Sequence, residues 1–390
     1  MKIPSPSRGG RGWGWGFRVK FEILRQDINT SARLGRLTTP HGIVDTPAFM
    51  PVGTAGTVKG VTPEEVLESG AQIILGNTFH LYLRPGTGVI NKFGGLHNFI
   101  GWDGPILTDS GGYQVFSLAK LRKINSNGVI FQSPIDGSEH IFTPEGVIEI
   151  QEIIGSDIIV CLDECIPYPA DYEYAKDSTD MTIQWAYRSK KVYSGTESGL
   201  FGVVQGGFYK ELREYCAGEL MKIGFDGYAI GGVSVGEPKE MMYTVVDQVA
   251  PVLPWDKPRY LMGVGHPDDI IEGVARGIDM FDCVVPTRHG RRGYLYTKHG
   301  HIIIKNACYK DDESPVEDGC TCYTCSKYSR AYLRHLFMSG EILGLRLNTI
   351  HNLYYFGRFM KDIRDAITDG KLSQLREEFY NIRKEGAQCL

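Results

Sequence analysis

Three aspartates stand at the ends of short apolar segments. Asp109 lies in Thr108-Asp-Ser-Gly-Gly-Tyr-Gln114, Asp163 in Asp163-Glu-Cys165, and Asp282 in Met280-Phe-Asp-Cys283. Carboxylates brought together repel unless they are used, and their mutual charge and burial push pKa values apart. One can then act as an ionised nucleophile and another as a proton carrier. The glycine pairs beside them, Gly111-Gly112, Gly206-Gly207 and Gly231-Gly232, let a flat ligand lie against backbone. Tyr113 can stack on such a ligand, and Gln205 offers a donor and an acceptor to a heterocycle edge. Any one of these residues has a plain structural explanation as a helix cap or a turn. Their joint placement at segment ends is what points to a site.

A second group has metal chemistry. Cys320-Thr-Cys322-Tyr-Thr-Cys325 places three thiols within six residues, and His351 follows in the apolar-rich helical stretch Glu341–Met360. A tight loop can supply three thiolates to Zn²⁺ and a histidine from a packed helix can close the tetrahedron. Four protein ligands leave no open position, so the zinc is expected to be structural. His335 is the rival fourth ligand. A third group, Arg288-His-Gly-Arg291-Arg292, follows Asp282 within ten residues and can hold phosphates or read base edges.

These groups need elements to position them. Eight strand candidates run along the chain: Pro47–Val52, Gln72–Leu75, Pro105–Leu107, Ile158–Leu162, Leu200–Val204, Tyr228–Ile230, Arg259–Met262 and Met280–Cys283. Helical patterns lie between them, with start signals at Thr62-Pro63-Glu64-Glu65, Thr143-Pro144-Glu145 and His266-Pro267-Asp268-Asp269. Alternation of this kind predicts an α/β chain folded as a (β/α)8 TIM barrel, with a doubly wound sheet as the alternative. Residues 128–142 read as a hairpin around Asp136-Gly137 inserted after the third strand. After Cys283 the rhythm breaks, and residues 305–369 read as an inserted C-terminal zinc-binding subdomain within a catalytic domain spanning 17–390. Met1–Gly16, rich in Gly, Ser, Pro, Arg and Trp, reads as a disordered extension or a mis-chosen start.

Composition is that of a globular protein, with 42% hydrophobic and 23% charged residues in 390, enough for one large core. No run of about 18 apolar residues predicts a membrane span. Net charge is −4, which by itself disfavours a polyanionic partner, but it is uneven. From Pro286 onward there are 17 Lys and Arg against 12 Asp and Glu, leaving −9 on the remainder. A basic C-terminal third on an acidic body fits a protein with one nucleic-acid face. Nine cysteines, three of them clustered, suit a reducing compartment and metal binding. A cytoplasmic location is the expectation.

Taken together, Asp109-Ser-Gly-Gly-Tyr-Gln114, Gly202-Val-Val-Gln-Gly-Gly207, Gly231-Gly-Val-Ser-Val-Gly-Glu237, Phe281-Asp-Cys-Val-Val-Pro-Thr-Arg288 and the cysteine cluster resemble bacterial tRNA-guanine transglycosylase, from about Phe21 to Gly370. The resemblance implies exchange of guanine at the wobble position (34) of GUN-anticodon tRNAs for a 7-deazaguanine. It implies Asp282 as the nucleophile on the ribose and Asp109 as the general acid/base. Asp163, Gln205 and Gly232 match base-reading residues, with Ser110, Cys165 and Val233 beside them, and Tyr113 and Met262 match stacking walls. Arg288 and Arg291, with neighbouring Arg292, fall where the family meets anticodon nucleotides. Cys320, Cys322, Cys325 and His351 match the ligands of one structural zinc. A homodimer is implied, and no organic cofactor. Cys165 and Val235 resemble the pocket of preQ1 users more than that of queuine users. A glycoside hydrolase would use a similar carboxylate pair but would leave the zinc group and basic loop unexplained. A non-catalytic tRNA-binding subunit would be expected to lack Asp282.

Overall fold

The computed structural model describes residues 19–117, 122–195 and 197–388. The segment Met1–Gly16 lies outside them. An antiparallel sheet comes first, built from β1 (Lys20–Gln26), β2 (Arg33–Thr39) and β3 (Gly42–Thr46) in the order β1-β2-β3. The expected strands omit these three. Their sequences, such as Arg-Leu-Gly-Arg-Leu-Thr-Thr in β2, carry too many polar residues to read as apolar segments, and β1 is mostly exposed.

The barrel follows. Its first three strands are β4 (Ala48–Pro51), β5 (Ile74–Asn77) and β6 (Ile106–Asp109). After β6 comes an antiparallel insertion of β7 (Arg122–Asn125), β8 (Gly128–Gln132) and β9 (Glu139–Phe142). The expected hairpin is β8–β9, turning through Asp136-Gly137, where Gly137 takes a left-handed φ of 78°. The additional β7 has only the short alternation Arg-Lys-Ile-Asn, too little signal to stand out. The remaining barrel strands are β10 (Ile158–Val160), β11 (Gly199–Val204), β12 (Gly227–Ile230), β13 (Arg259–Leu261) and β14 (Met280–Cys283). All eight expected strands are present, within a few residues at their ends. They form one parallel sheet in the order β4-β14-β13-β12-β11-β10-β6-β5. The bridge Val52↔Leu75 and the hydrogen bond Gly53 N–H to Leu75 O (2.7 Å) join β4 to β5 and close the barrel.

Near-continuous burial explains why these strands read as apolar runs: both faces are covered, one by the barrel interior and one by helices. The predicted caps hold. Thr62 and Glu65 form a reciprocal capping box on the helix Pro63–Glu68, and Thr143 caps the helix Pro144–Ile154. Each such cap stabilises its helix by roughly 1 kcal/mol. His266 makes no side-chain cap, so proline at the first position starts the helix Pro267–Ala275.

Beyond β14 only the short helix Val285–Gly290 intervenes before the hairpin β15 (Tyr294–Thr297) and β16 (Gly300–Ile303). The cysteine loop and two short helices lead to a 28-residue helix, Ile342–Asp369. Its first half packs with the zinc-side cluster through Leu347, and its second half enters the main core through Phe356, Phe359, Met360, Ile363 and Ile367. One helix thus serves both the cysteine cluster and the barrel wall. Among the described residues no helix is long and apolar enough to cross a membrane.

Candidate active site

Parallel register places the chemical residues side by side. Asn77 at the end of β5 pairs in register with Asp109 at the end of β6. The Asp109 carboxylate accepts from Asn77 Nδ2 (2.6 Å) and Gln114 Nε2 (2.8 Å) at Oδ2 and from the Thr78 amide (3.0 Å) at Oδ1. Every partner is neutral. Burial therefore dominates, helped by the nearby Asp282 charge, and pushes the Asp109 carboxyl up to about 6 despite the hydrogen bonds. That suits a group that gives and takes a proton near neutral pH.

Asp282 is the third residue of β14. Its Oδ1 accepts from Tyr260 Oη (2.6 Å) and from the Gly263 amide (2.7 Å). Both bonds fall on one oxygen, Oδ1. Burial raises this carboxyl too, against the pull of those two donors. Burial and the Asp282 charge hold the Tyr260 phenol well above its ordinary value, so it remains a donor.

A second cluster adjoins the first. Asp163 accepts from Ser110 Oγ (3.2 Å) at Oδ1 and from Gln205 Nε2 (2.7 Å) at Oδ2. Gln205 is fully buried, yet among the described residues its Oε1 has no hydrogen-bond partner. A buried amide oxygen left unpaired is costly unless a ligand donor meets it. Gly232, with φ of 65°, backs directly onto that oxygen: a Cβ there would overlap it. Cys165 and Val233 are buried near these strand ends, Met262 is half-buried after β13, and Tyr113 stands 55% exposed on the short helix after Asp109. This arrangement offers donors and acceptors to one edge of a flat heterocycle.

Arg288, Arg291 and Arg292 line a cleft of about 360 Å³ with Val52, Thr54, Lys59, Val284 and Thr287. In sequence, its lining resumes at Val284, two residues past Asp282. The helix Val285–Gly290 that carries Arg288 is fastened to the long C-terminal helix: Asn352 Nδ2 donates to Pro286 O (3.0 Å) and Tyr294 O (2.9 Å).

One turn of that helix also supplies His351. Its Nδ1 lies 4.0, 3.6 and 3.3 Å from the sulfurs of Cys320, Cys322 and Cys325. The four ligand atoms all fall within 4.8 Å of one another, and all four residues are buried. A tetrahedron with bonds of roughly 2.3 Å has edges near 3.8 Å, so the set fits a structural zinc. The other imidazole nitrogen faces Tyr296 O at 2.7 Å, which orients the ring as ligating histidines require. His335 is no part of this group. The zinc region and the basic cleft are therefore coupled through adjacent residues, His351 and Asn352.

Several residues that hold the site were given no role from sequence. Tyr260 lies inside β13, and Thr78 and Lys59 carry no motif. Asn77 was legible only as a polar strand end. Arg213, fully buried in the helix Lys210–Ile223, donates to carbonyls of two of the strand-end turns. A charged residue at a helix position that periodicity marks as buried is the one signal that could have found it.

A closed (β/α)8 barrel with buried carboxylates at its carboxyl-terminal rim and a Cys₃His cluster beyond its last strand defines the class. Residues 27–385 match the family model described as queuine tRNA-ribosyltransferase. Curated relatives bearing that same name include one from Caldanaerobacter subterraneus subsp. tengcongensis, 59% identical over 372 residues, covering 94% of this chain and 99% of that protein. Others are from Thermoanaerobacter sp., 58% identical over 363 residues (93% and 97%), and Desulforamulus reducens, 55% identical over 368 residues (94% and 100%). The chain belongs to the queuine tRNA-ribosyltransferase family of tRNA-guanine transglycosylases.

Proposed function

We propose that this enzyme exchanges guanine at wobble position 34 of GUN-anticodon tRNAs (Asp, Asn, His, Tyr) for preQ1, in queuosine biosynthesis, by a covalent double displacement. The observation that carries the reading is the asymmetry of Asp282: both its hydrogen bonds fall on Oδ1. Oδ2 attacks C1′ of the ribose, the bond from C1′ to guanine N9 breaks, and Asp109, with its raised pKa, delivers the proton that the leaving base needs. Asp109, now ionised, takes the corresponding proton from the incoming base. That base then attacks C1′ and frees Asp282.

Asp163, Gln205 and Gly232 read the edge of the base, with Ser110 holding Asp163, and Cys165 and Val233 close the pocket behind them. Tyr113 and Met262 cover its faces. Arg288, Arg291 and Arg292 hold the anticodon backbone, and the target base must leave its stack to enter the pocket. The relatives' names specify queuine. The preQ1 reading rests instead on Cys165 and Val235 in the pocket wall.

Incorporation of radiolabelled guanine into tRNA tests the activity, and a denaturing-gel adduct between protein and tRNA tests the covalent step. Well-folded, zinc-loaded protein that incorporates no guanine would sink the proposal. Competition between preQ1 and queuine against labelled guanine separates the two substrates. Displacement by queuine at lower concentration than preQ1 would reverse that assignment.

A further inference from the structure

Arg213 lies in the first turn of the helix Lys210–Ile223 and is fully buried. Among the described residues its guanidinium hydrogen-bonds to carbonyls only. Nε donates to Gly207 O (2.7 Å), Nη1 to Val204 O (2.8 Å) and Gly231 O (2.7 Å), and Nη2 reaches Gly232 O at 3.4 Å. Among the described residues it forms no ion pair. Burial lowers its pKa to about 10, still charged at neutral pH. A buried cation without a carboxylate is expensive, and leucine would fill a barrel–helix contact more cheaply.

The four carbonyls divide between two turns. Val204 and Gly207 flank Gln205 at the end of β11, while Gly231 and Gly232 form the turn at the end of β12. Those turns carry the unpaired Gln205 Oε1 and the glycine packed directly against it. The first turn is pressed on the helix as well: a Cβ on Gly206 would fall 2.7 Å from the Arg213 amide nitrogen. Arginine's planar fork fits four fixed acceptors as lysine's single ammonium cannot.

We infer that Arg213 is a positioning residue that sets the spacing between the Gln205 and Gly232 turns, and through it the affinity for the exchanged base. Its hydrogen bonds go to the two turns and to neither Asp282 nor Asp109, so it acts through the base pocket and not on the attacking carboxylate. The inference rests on the proposed base exchange.

The test is steady-state guanine exchange by full-length enzyme carrying Arg213→Lys or Arg213→Met, with zinc content and melting temperature as folding controls. The expected result is a rise in KM for guanine of about tenfold or more in Arg213→Lys. KM for tRNA, which the anticodon contacts also set, should rise less than KM for guanine, and the yield of the gel-stable adduct at saturating tRNA should stay within about threefold. Arg213→Met, which keeps bulk but no donors, should do worse on the same constant; should it not fold, the lysine variant carries the test. Unchanged guanine KM in folded Arg213→Lys, or loss of adduct with guanine KM intact, overturns the inference while wild-type exchange keeps the functional reading standing. Wild-type protein without exchange would fail that reading instead, and guanine affinity of wild type and Arg213→Lys by calorimetry would then decide on Arg213 alone.

Discussion

At the amino-terminal rim of the barrel, Asp157 and Asp279 are buried immediately before β10 and β14. Asp279 receives two bonds from Arg33, Nε at 2.9 Å and Nη2 at 2.6 Å, together with the Arg259 amide. Asp157 is met by His41 Nδ1 at 2.9 Å, His97 Nε2 at 3.2 Å and the Ile106 amide. At the carboxyl-terminal rim, Asp109, Asp163 and Asp282 are also buried, though slightly less so, and have only neutral donors. The consequence shows in acidity. Burial would raise Asp157, but the hydrogen bonds and charges of His41 and His97 more than offset it, and its carboxyl lies well below the usual range. Burial at Asp109 is not offset, and its carboxyl rises to about 6. Carboxylates at one rim meet cationic partners and at the other only neutral donors, an arrangement that under the proposed function leaves the latter poised for reaction.

The largest effect that would break this contrast is at Asp282. Asp282→Asn keeps the shape and the Tyr260 bond but removes the attacking charge. Exchange should fall by at least about a thousandfold with no gel-stable tRNA adduct, while zinc content and melting temperature stay near wild type. An adduct in this variant would move the nucleophile elsewhere.

Asp279→Asn tests the opposite rim. It leaves the fully buried Arg33 charge without its counter-ion, at a cost of about 3 kcal/mol in unfolding free energy. The folded fraction should retain its KM for guanine. Urea titration reads the stability, and a loss under about 1 kcal/mol would mean the pair is no anchor.

Asp109 and Asp157 should also answer pH in opposite senses, whereas burial raises the Asp279 carboxyl despite its Arg33 partner. Asp109 has its carboxyl at about 6 when folded against 3.8 as its ordinary value. Between those values the folded state holds a proton that the unfolded chain has lost. The Asp109 contribution to stability is therefore full below about pH 4 and is lost as pH rises through 6, by about 3 kcal/mol. Asp157 runs the other way: its contribution is present above the unfolded value and disappears as pH falls through the depressed folded one. Stability measured against pH in wild type and Asp109→Asn isolates the first effect. The wild-type-minus-variant difference should fall between pH 4 and 7, and a flat difference would show that Asp109 is not desolvated.

Much of the reactive rim was legible in the sequence because strand ends, glycine pairs and aspartates repeat together there. The eight strands stood out because burial on both faces makes them apolar runs. The Cys₃ loop was legible from spacing alone, whereas His351 over His335 needed the family resemblance until the helix geometry placed it. The supporting rim was not legible. Arg33, Asp157 and Asp279 come from β2 and from the residues just before β10 and β14, and their meaning lies in long-range pairing: Arg33 and Asp279 are 246 positions apart. Tyr260 and Arg213 escaped for the same reason, since a polar group inside a buried element announces its partner only in three dimensions.

The smallest effect concerns the cations. Arg33 at the supporting rim is consumed by Asp279, whereas Arg288 and Arg292 at the reactive rim are exposed beside the cleft and, among the described residues, form no ion pair. An exposed arginine contributes to binding a polyanion chiefly by displacing counter-ions. Arg292→Ala should therefore raise KM for tRNA only a few-fold, lower the dependence of binding on salt by about one ion, and leave KM for guanine unchanged. Filter binding across a salt series reads the slope. If the slope stays the same while guanine KM rises, Arg292 belongs to the base pocket, and the division between a cation-lined cleft and a neutral-donor pocket on this rim is wrong.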